Sequence, residues 1–422
     1  MARTEHSVLA GLGSPATAPT AIRGRGAVTN VAHRFQSDAR EADNDVDAYG
    51  LDSENTPPPL RTQVIREQAR KLLSRNDSPD IPFDQAVNPY RGCEHGCVYC
   101  YARPTHAYLG YSPGLDFETK LIVKENAVEA LRAELARPAY RMSPINVGSA
   151  TDVYQPIERE WRLTRGILQL LSDTGHPLTL VTKNALVERD LDILKSLAER
   201  NLVAVYVSIT SMYAEVSRTM EPRASAPWRR LQAVRTLSEA GIPVGVLVAP
   251  IVPFINDAEV EHILEAAAEA GAYYANYTVV RLPWEVKEVF ETWLRTHFPD
   301  RADRVLHRIE DLRGGKRNDP RFGTRMKGEG VWSDLLRQRF DVAVRRHKLN
   351  RTRLALDTTQ FVPPVVSSAQ SLAQFSALPH GANAAGNGHV APVTFIRSRR
   401  SPGPQAAASQ APAPASQLAL FD

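Results

Sequence analysis

All three cysteines of this 422-residue chain, Cys93, Cys97 and Cys100, fall in one stretch, residues 88–106, which reads NPYRGCEHGCVYCYARPTH. All three cysteines are therefore expected to belong to one site. Three thiolates spaced C-x3-C-x2-C can bind three irons of a 4Fe-4S cluster, and the fourth iron is then left without a cysteine ligand. The spacing predicts a cluster with one position open to a small molecule.

The known use of this spacing is to chelate the amino and carboxylate groups of S-adenosylmethionine at the open iron. Reduction of the cluster then splits the sulfonium and yields a 5'-deoxyadenosyl radical. The reaction needs an external reductant of the flavodoxin or ferredoxin type. Tyr99, directly before the third cysteine, offers an aromatic ring against which the adenine can lie.

Two other uses of the cysteines fit less well. A disulfide framework is disfavoured because the number of cysteines is odd and nothing upstream resembles a secretion signal. Zinc would need a fourth ligand, which His95 or His106 could supply, but structural zinc sites usually pair two cysteine knuckles far apart in the sequence. Zinc therefore stays the alternative to the cluster.

The composition favours a cytoplasmic protein with no membrane segment. The chain is 43% hydrophobic and carries a net charge of only +4, so any basic surface must be local. Its longest apolar stretch, 241–255, contains three prolines and is too short to span a bilayer. Free thiols and an oxygen-sensitive cluster both suit a reducing compartment.

Runs of Val, Ile and Leu alternate with helical patterns through the middle of the chain, which indicates a parallel sheet buried on both faces. We predict an α/β fold, an open, partial (β/α)6 barrel over residues 56–300, with ligands at the C-terminal ends of its strands. A short helix is predicted over Thr62–Leu73. After the first strand, which leads into the cysteine loop, strands are predicted at 120–123, 145–149, 178–182, 203–210, 244–251 and 273–281.

The regions outside the barrel differ in composition. Residues 1–55 are predicted to be a mostly disordered basic arm, in which GRGAVTNVAHRF, Gly24–Phe35, either lies along the folded body or is solvated. Residues 301–362 are predicted to be a basic, mostly helical extension. Within it, residues 316–353 hold twelve Lys or Arg against four Asp or Glu, a candidate nucleic-acid surface whose alternative is a solvated helix face. Residues 363–422, rich in Ala, Pro and Ser, are predicted to be disordered.

The cysteine motif and its tyrosines resemble the radical S-adenosylmethionine superfamily, and C-x-Y-C-Y is similar to its branch of spore photoproduct lyase and related DNA repair photolyases. The likeness covers about residues 84–275, and GRGAVTN and SPDIPFD resemble an uncharacterised bacterial subfamily. Further matches lie at strand ends: GSATDVYQPIE at 148–158, LVTKN at 180–184, VSITS at 207–211 with EPR at 221–223, and VLVAPI at 246–251.

This resemblance implies roles for individual residues. Tyr99 would neighbour the adenine, and Tyr101 matches a tyrosine placed for radical relay, with packing beside the cluster as its alternative. Polar contacts to the methionyl and ribose groups would come from Thr151, Asp152, Lys183 and Ser208, and an apolar wall from 249–251, beginning at Ala249. For Thr151 and Ser208 the alternative is a hydroxyl that satisfies local backbone.

One position departs from the branch. In spore photoproduct lyase a cysteine before the T/S-x-D segment returns a hydrogen atom to the product radical, and Ser149 stands there in this chain. A serine O–H bond is far stronger than a thiol S–H bond. Either Tyr99 and Tyr101 supply the hydrogen or, as we favour, the substrate is not the spore photoproduct.

Taken together, these residues predict an enzyme that abstracts hydrogen from a substrate, with DNA as the first candidate. Modification of RNA or protein is the alternative enzyme activity, and a non-catalytic metal-binding, DNA-associated module is the alternative class. The end of the tail, QLALF at Gln417–Phe421, resembles the peptide by which bacterial repair proteins dock onto the sliding clamp, with a frayed apolar terminus as its alternative.

Overall fold

The computed structural model describes residues 21–36, 60–352 and 354–365, and the elements below belong to one structural unit. Most of the arm 1–55 and the Gln417–Phe421 peptide lie outside these residues. The strands are Gln63–Glu67 (β1), Leu73–Arg75 (β2), Gln85–Val87 (β3), Tyr90–Arg91 (β4), Lys120–Lys124 (β5), Ile145–Val147 (β6), Leu178–Thr182 (β7), Val203–Ser208 (β8), Val244–Ile251 (β9) and Tyr274–Val279 (β10). The helices are Asp116–Thr119 (α1), Ala127–Leu135 (α2), Glu158–Trp161 (α3), Leu163–Asp173 (α4), Leu191–Glu199 (α5), Ala214–Met220 (α6), Pro227–Glu239 (α7), Val260–Glu269 (α8), Val286–His297 (α9), Ala302–Asp311 (α10) and Val331–Arg346 (α11).

The main sheet has seven strands in the order β10-β9-β8-β7-β6-β3-β2. Six of them pair in parallel and β2 is an antiparallel edge strand. Since the parallel strands follow one another in chain order and the sheet is open, the predicted α/β fold is confirmed. The loop after β3 therefore lies at the same edge as the loops after the other five parallel strands.

Alternating residues divide the main sheet into two faces. The outer face, with Val205 and Val246, is buried under helices that include α5, α7 and α8. The inner face carries Tyr206 and Leu247, together with polar side chains such as Thr179. Extending this alternation to the strand ends places Lys183, Ser208 and Ala249 on the inner face.

Two predictions for the first part of the chain are corrected. Thr62–Leu73 is not a helix: it contains β1, which pairs in parallel with β5, and its last residue begins β2. The β-branched Val64 and Ile65 lie in β1, and pairing with a distant strand outweighs the helix propensity of the charged residues beside them. Because β5 pairs with β1 and β4, the predicted strand at 120–123 belongs to a second, three-stranded sheet.

The basic extension packs against the edge of the main sheet. Helix α11 lies in the predicted basic extension, with Leu336 and Phe340 buried and Phe340 4.6 Å from Tyr277 between ring centroids. Before it, residues 316–330 fold back along β10, where the amide of Val279 donates to the carbonyl of Met326 at 2.9 Å. The extension thus covers a strand edge that would otherwise be open.

Part of the arm lies along the folded body. Arg25, Ala27 and Val31 are buried, and Arg25 donates to the carbonyl of Glu118 at 2.9 Å, whereas Phe35 is largely exposed. Gly24–Phe35 was predicted either to lie along the folded body or to be solvated, and most of it lies along the folded body. Across the residues that the structure describes, no helix is both long and apolar enough to span a membrane.

Candidate active site at the cysteine loop

The three cysteines lie on a loop whose backbone is fixed from several sides. Cys93 and Cys97 are buried and Cys100 is partly exposed. The amide of Cys93 donates to the carbonyl of Phe117 at 2.9 Å. Between the first two cysteines, Gly96 adopts a φ of +67°, a left-handed conformation that glycine tolerates best. These restraints fix the backbone conformation of the short segment that carries all three thiols.

A buried ion pair, Arg103–Glu118, lies against the backbone of this loop. The guanidinium of Arg103 donates to the carbonyls of Gly96 and Cys97 at 3.0 and 2.8 Å and to the Glu118 carboxylate at 2.5 Å. The same carboxylate accepts the amides of Gly26 and Ala27 at 3.0 and 2.8 Å. One side chain therefore ties the N-terminal arm to the cysteine loop.

The thiols are close enough to affect one another electrostatically. Burial raises the pKa of Cys93 well above its usual value, and the charges of Asp152, Cys97 and Cys100 raise it further. Burial likewise raises the pKa of Cys97 to about 12, although nearby Lys183 acts in the opposite direction. Since metal binding requires thiolates, a cationic cluster would relieve this repulsion, and the three residues fit such a group.

Neither histidine near the loop completes a zinc site. The Nε2 of His106 lies 2.9 Å from the carbonyl of Lys120, and burial lowers the pKa of His106 to about 4. His95 lies between the Asp152 carboxylate and the Asn184 amide, 3.2 Å from each. Among residues 21–36, 60–352 and 354–365, no three Cys, His, Asp or Glu side chains surround a single-ion position. Both histidine side chains are thus engaged by groups of the protein itself.

Asp152 joins the ends of two neighbouring strands. Its carboxylate accepts the hydroxyl of Thr182 at 2.8 Å and the amide of Lys183 at 2.7 Å. Burial by itself would raise the pKa of Asp152, but His95 and the backbone amides lower it to about 2. Asp152 is thus a permanent anion that holds the backbone of Lys183 at the end of β7.

Lys183 and Thr151 both have free hydrogen-bonding capacity near the thiols. The Lys183 Nζ lies 5.9 Å from the centre of the Tyr99 ring. Burial acts to lower the pKa of Lys183, yet the charges of Cys97 and Glu221 raise it above its usual value, so the ammonium keeps its proton. The hydroxyl of Thr151 is buried without a hydrogen-bond partner in the described part of the chain, which is unusual unless a ligand supplies one.

Tyr99 is held by a second buried ion pair, Glu221–Arg230. The Tyr99 hydroxyl donates to the Glu221 carboxylate, which also accepts the Thr210 hydroxyl and lies 2.5 Å from the Arg230 guanidinium. Burial, followed by the charges of Cys97 and Glu221, raises the pKa of Tyr99 well above its usual value. The EPR segment indicated Glu221, but no pattern in the sequence marks Arg230 as its partner.

Tyr101 and Ser149 lie next to each other. The Tyr101 side chain is 58% exposed, and its hydroxyl donates to the backbone carbonyl of Ser149. The Ser149 hydroxyl accepts from the Asn88 side-chain amide at 3.1 Å. The structure thus brings together two residues that are distant in sequence and were both predicted to bear on hydrogen transfer.

The remaining predicted residues occupy the inner face of the sheet at its C-terminal edge. Ser208 is buried at the end of β8, and its carbonyl accepts the Arg230 guanidinium at 3.0 Å. Ala249 is partly buried beside the inner-face cluster of Tyr206 and Leu247. All ten predicted site residues therefore belong to the cysteine loop or to the C-terminal ends of the strands.

Residues 87–267 match the model of the Radical SAM superfamily. An uncharacterized protein of Mycobacterium tuberculosis is 37% identical over 226 residues, which are 53% of this chain and 66% of that protein, just under two thirds of its length. A protein of Acidianus two-tailed virus is 30% identical over 228 residues, 53% of this chain and 73% of the viral protein.

The solved structures that match this chain include spore photoproduct lyase complexed with dinucleoside spore photoproduct. It has 18% sequence identity and a TM-score of 0.48, over 67% of this chain and 79% of that chain. The Streptococcus suis protein SuiB bound to S-adenosylmethionine has 9% sequence identity and a TM-score of 0.32, over 49% of this chain and 38% of that chain.

Proposed function

Because this chain belongs to the radical S-adenosylmethionine superfamily, whose cofactors are a 4Fe-4S cluster and S-adenosylmethionine, we propose that it abstracts a hydrogen atom from a nucleic-acid substrate, with DNA repair as the first candidate role. One observation carries the proposal. Three thiols lie on one restrained loop at the C-terminal edge of the sheet, where the side chain of Cys100 packs against the apolar clusters of both Cys93 and Cys97. When bound, the cluster supplies the electron that cleaves S-adenosylmethionine to a 5'-deoxyadenosyl radical.

In this proposal the residues of the chain bind and orient the two cofactors. Lys183 pairs with the S-adenosylmethionine carboxylate, since it is a protonated amine without a carboxylate partner at ion-pair distance in the described residues. The buried Thr151 hydroxyl gains the hydrogen bond that it lacks among the described residues. The full set is Cys93, Cys97 and Cys100 for the cluster, and Tyr99, Thr151, Asp152, Lys183, Ser208 and Ala249 for S-adenosylmethionine.

The residues around Ser149 indicate which group can return a hydrogen atom to the product radical. A serine hydroxyl is too poor a hydrogen-atom donor to act as a thiol would. The phenol of Tyr101, which is exposed and bonded to the Ser149 carbonyl, occupies the same neighbourhood and is a far better donor. We therefore assign radical relay to Tyr101, and a substrate other than the spore photoproduct to the enzyme.

The nucleic-acid class is supported by the strand-end motifs and by the basic extension. Five of the twelve basic residues in 316–353 pair with carboxylates, such as Arg339 with Glu261 at 2.7 Å. In the part of the chain that the structure describes, no ion pair engages Lys316, Arg345, Arg346, Lys348 or Arg351. These cations leave a net positive surface that suits a phosphate backbone.

Anaerobic reconstitution tests the proposed function. Protein loaded with iron and sulfide is expected to be brown and, with dithionite and S-adenosylmethionine, to release 5'-deoxyadenosine, which chromatography measures. The Cys100→Ala variant should lose this release because one cluster ligand is missing. A colourless wild-type protein that releases no 5'-deoxyadenosine would contradict the proposal.

Replacing Lys183 by methionine should weaken S-adenosylmethionine binding. Loss of a charge-assisted hydrogen bond worth about 1.5–3 kcal/mol corresponds to about ten- to a hundredfold in Kd, measured by calorimetry on reconstituted protein. The matched control is Lys195→Met, which removes an exposed lysine of α5. Equal affinities of the two variants, at equal iron content, would remove Lys183 from the binding site.

A further inference from the structure

Arg281, which follows the last parallel strand, is a partly buried cation without a counter-ion in the described part of the chain. Its Nε is buried and has no hydrogen-bond partner among the described residues, and its Nη1 donates to the thioether sulfur of Met326 at 3.4 Å. A thioether is a weak acceptor. Charged groups that leave water are normally paired with an opposite charge, so this guanidinium lacks an anion.

The neighbours of Arg281 add positive charge. Arg325 is paired with Asp80 at 2.5 Å, whereas the buried Arg313 donates to backbone carbonyls, including those of Val280 and Arg325 at 2.9 and 2.7 Å. Within residues 60–352, these three guanidinium groups thus share a single carboxylate at ion-pair distance. Burial and the charge of Arg325 lower the pKa of Arg281, although the nearby Tyr101 and Asp80 act in the opposite direction.

Arg281 also lies on the side of the candidate active site. Val280 and Leu282, on either side of it in the chain, belong to the same apolar cluster as Cys97 and Tyr99. Because these two neighbours pack in the same cluster as the cysteine loop, an anion bound by Arg281 would lie beside that loop, which also carries Tyr101.

We propose that Arg281 binds a phosphate of the substrate backbone and so positions a phosphodiester-linked nucleic acid beside Tyr101. A guanidinium presents a planar fork of donors that matches two phosphate oxygens, and among the described residues only the thioether of Met326 accepts from this one. The inference rests on the proposed function for the location of the reaction, and it assigns the substrate class from a cation that has no role in the proposed binding of the cofactors.

The test measures binding of a fluorescent single-stranded DNA oligonucleotide to reconstituted protein, by anisotropy and without reductant. Arg281→Gln should weaken binding about tenfold and reduce the dependence of log Kd on log salt by about one phosphate contact. The matched control is Arg295→Gln, an exposed arginine of α9 paired with Glu291, which should change Kd by less than about twofold.

A second probe identifies the group that is recognised. An oligonucleotide with neutral methylphosphonate linkages should bind the wild-type protein weakly, and Arg281→Gln should weaken it no further. Arg281→Lys keeps the charge and provides a variant with little risk to folding; it should retain the wild-type salt dependence while losing part of the affinity.

Three results would overturn the inference. Unchanged DNA affinity of Arg281→Gln would do so, and so would failure of the wild-type protein to bind the oligonucleotide. The third is weaker S-adenosylmethionine binding by Arg281→Gln with unchanged DNA binding, which would make the anion the cofactor carboxylate. Release of 5'-deoxyadenosine by the wild-type protein without substrate is measured independently of these results, so the radical chemistry of the proposed function is judged separately.

Discussion

Replacing Gly26 by valine is expected to abolish cluster incorporation although residue 26 is far from the cysteines in sequence. A Cβ at this position would lie 1.8 Å from the carbonyl oxygen of Gly96 and 3.0 Å from a methyl group of Val98. Both atoms belong to the cysteine loop. Overpacking against mobile side chains typically costs about 1–3 kcal/mol, and a clash with backbone must cost more or displace the loop. Iron and sulfide content and visible absorption after reconstitution measure the effect.

The control for this variant is Gly24→Ala. Gly24 has a φ of +74° and no atom within 4 Å of an added Cβ, so alanine there brings only backbone strain of about 1–2 kcal/mol. Its iron content should equal that of the wild type. A Gly26→Val protein that also carried a full cluster would show that the arm can leave the loop without consequence.

Replacing Glu221 by alanine should strongly destabilise the protein. The Arg230 guanidinium would remain buried without its carboxylate, and Tyr99 and Thr210 would lose their acceptor. Removal of one partner from a buried ion pair costs about 3–5 kcal/mol. The free energy of unfolding in urea, measured on protein without cofactors, should fall by that amount.

The matched control is Glu188→Ala, which breaks the more exposed pair of Glu188 with Arg229, next to Arg230 in the chain. Exposed pairs contribute about 0–1 kcal/mol, so the two variants should differ clearly. The double variant Glu221→Gln with Arg230→Met should recover much of the loss, because no charge of this pair remains buried. If Glu221→Ala matched the Glu188 control, the pair would not be what holds Tyr99.

The sequence predicted the parts of this site that depend on local pattern. The cysteine spacing is contiguous, and parallel strands bring their C-terminal ends to one edge, so the alternation of strands and helices is enough to place Lys183 and Ser208 together. The same reasoning placed Thr151 and Asp152 at the neighbouring strand end.

What the sequence did not reveal depends on partners far apart in the chain. Glu118 accepts the amide of Gly26 across 92 positions, and nothing near either residue distinguishes Glu118 from a surface carboxylate. Arg281 resembles an ordinary residue after a strand, and only its lack of a counter-ion among the described residues of the folded chain marks it. Thr62–Leu73 was assigned wrongly for the same reason, since its pairing partner is β5.

Because the Glu118 carboxylate binds both the N-terminal arm and Arg103, it limits how far this protein can be truncated. A fragment cut to the family match at 87–267 would leave Arg103 and Glu118 in place but remove the amides of Gly26 and Ala27 that complete their bonding. It would also lack strand β10 and the extension, with α11, that packs on it. The smallest unit worth expressing therefore starts before residue 24, and its iron chemistry should be judged only on polypeptides that keep this leading segment.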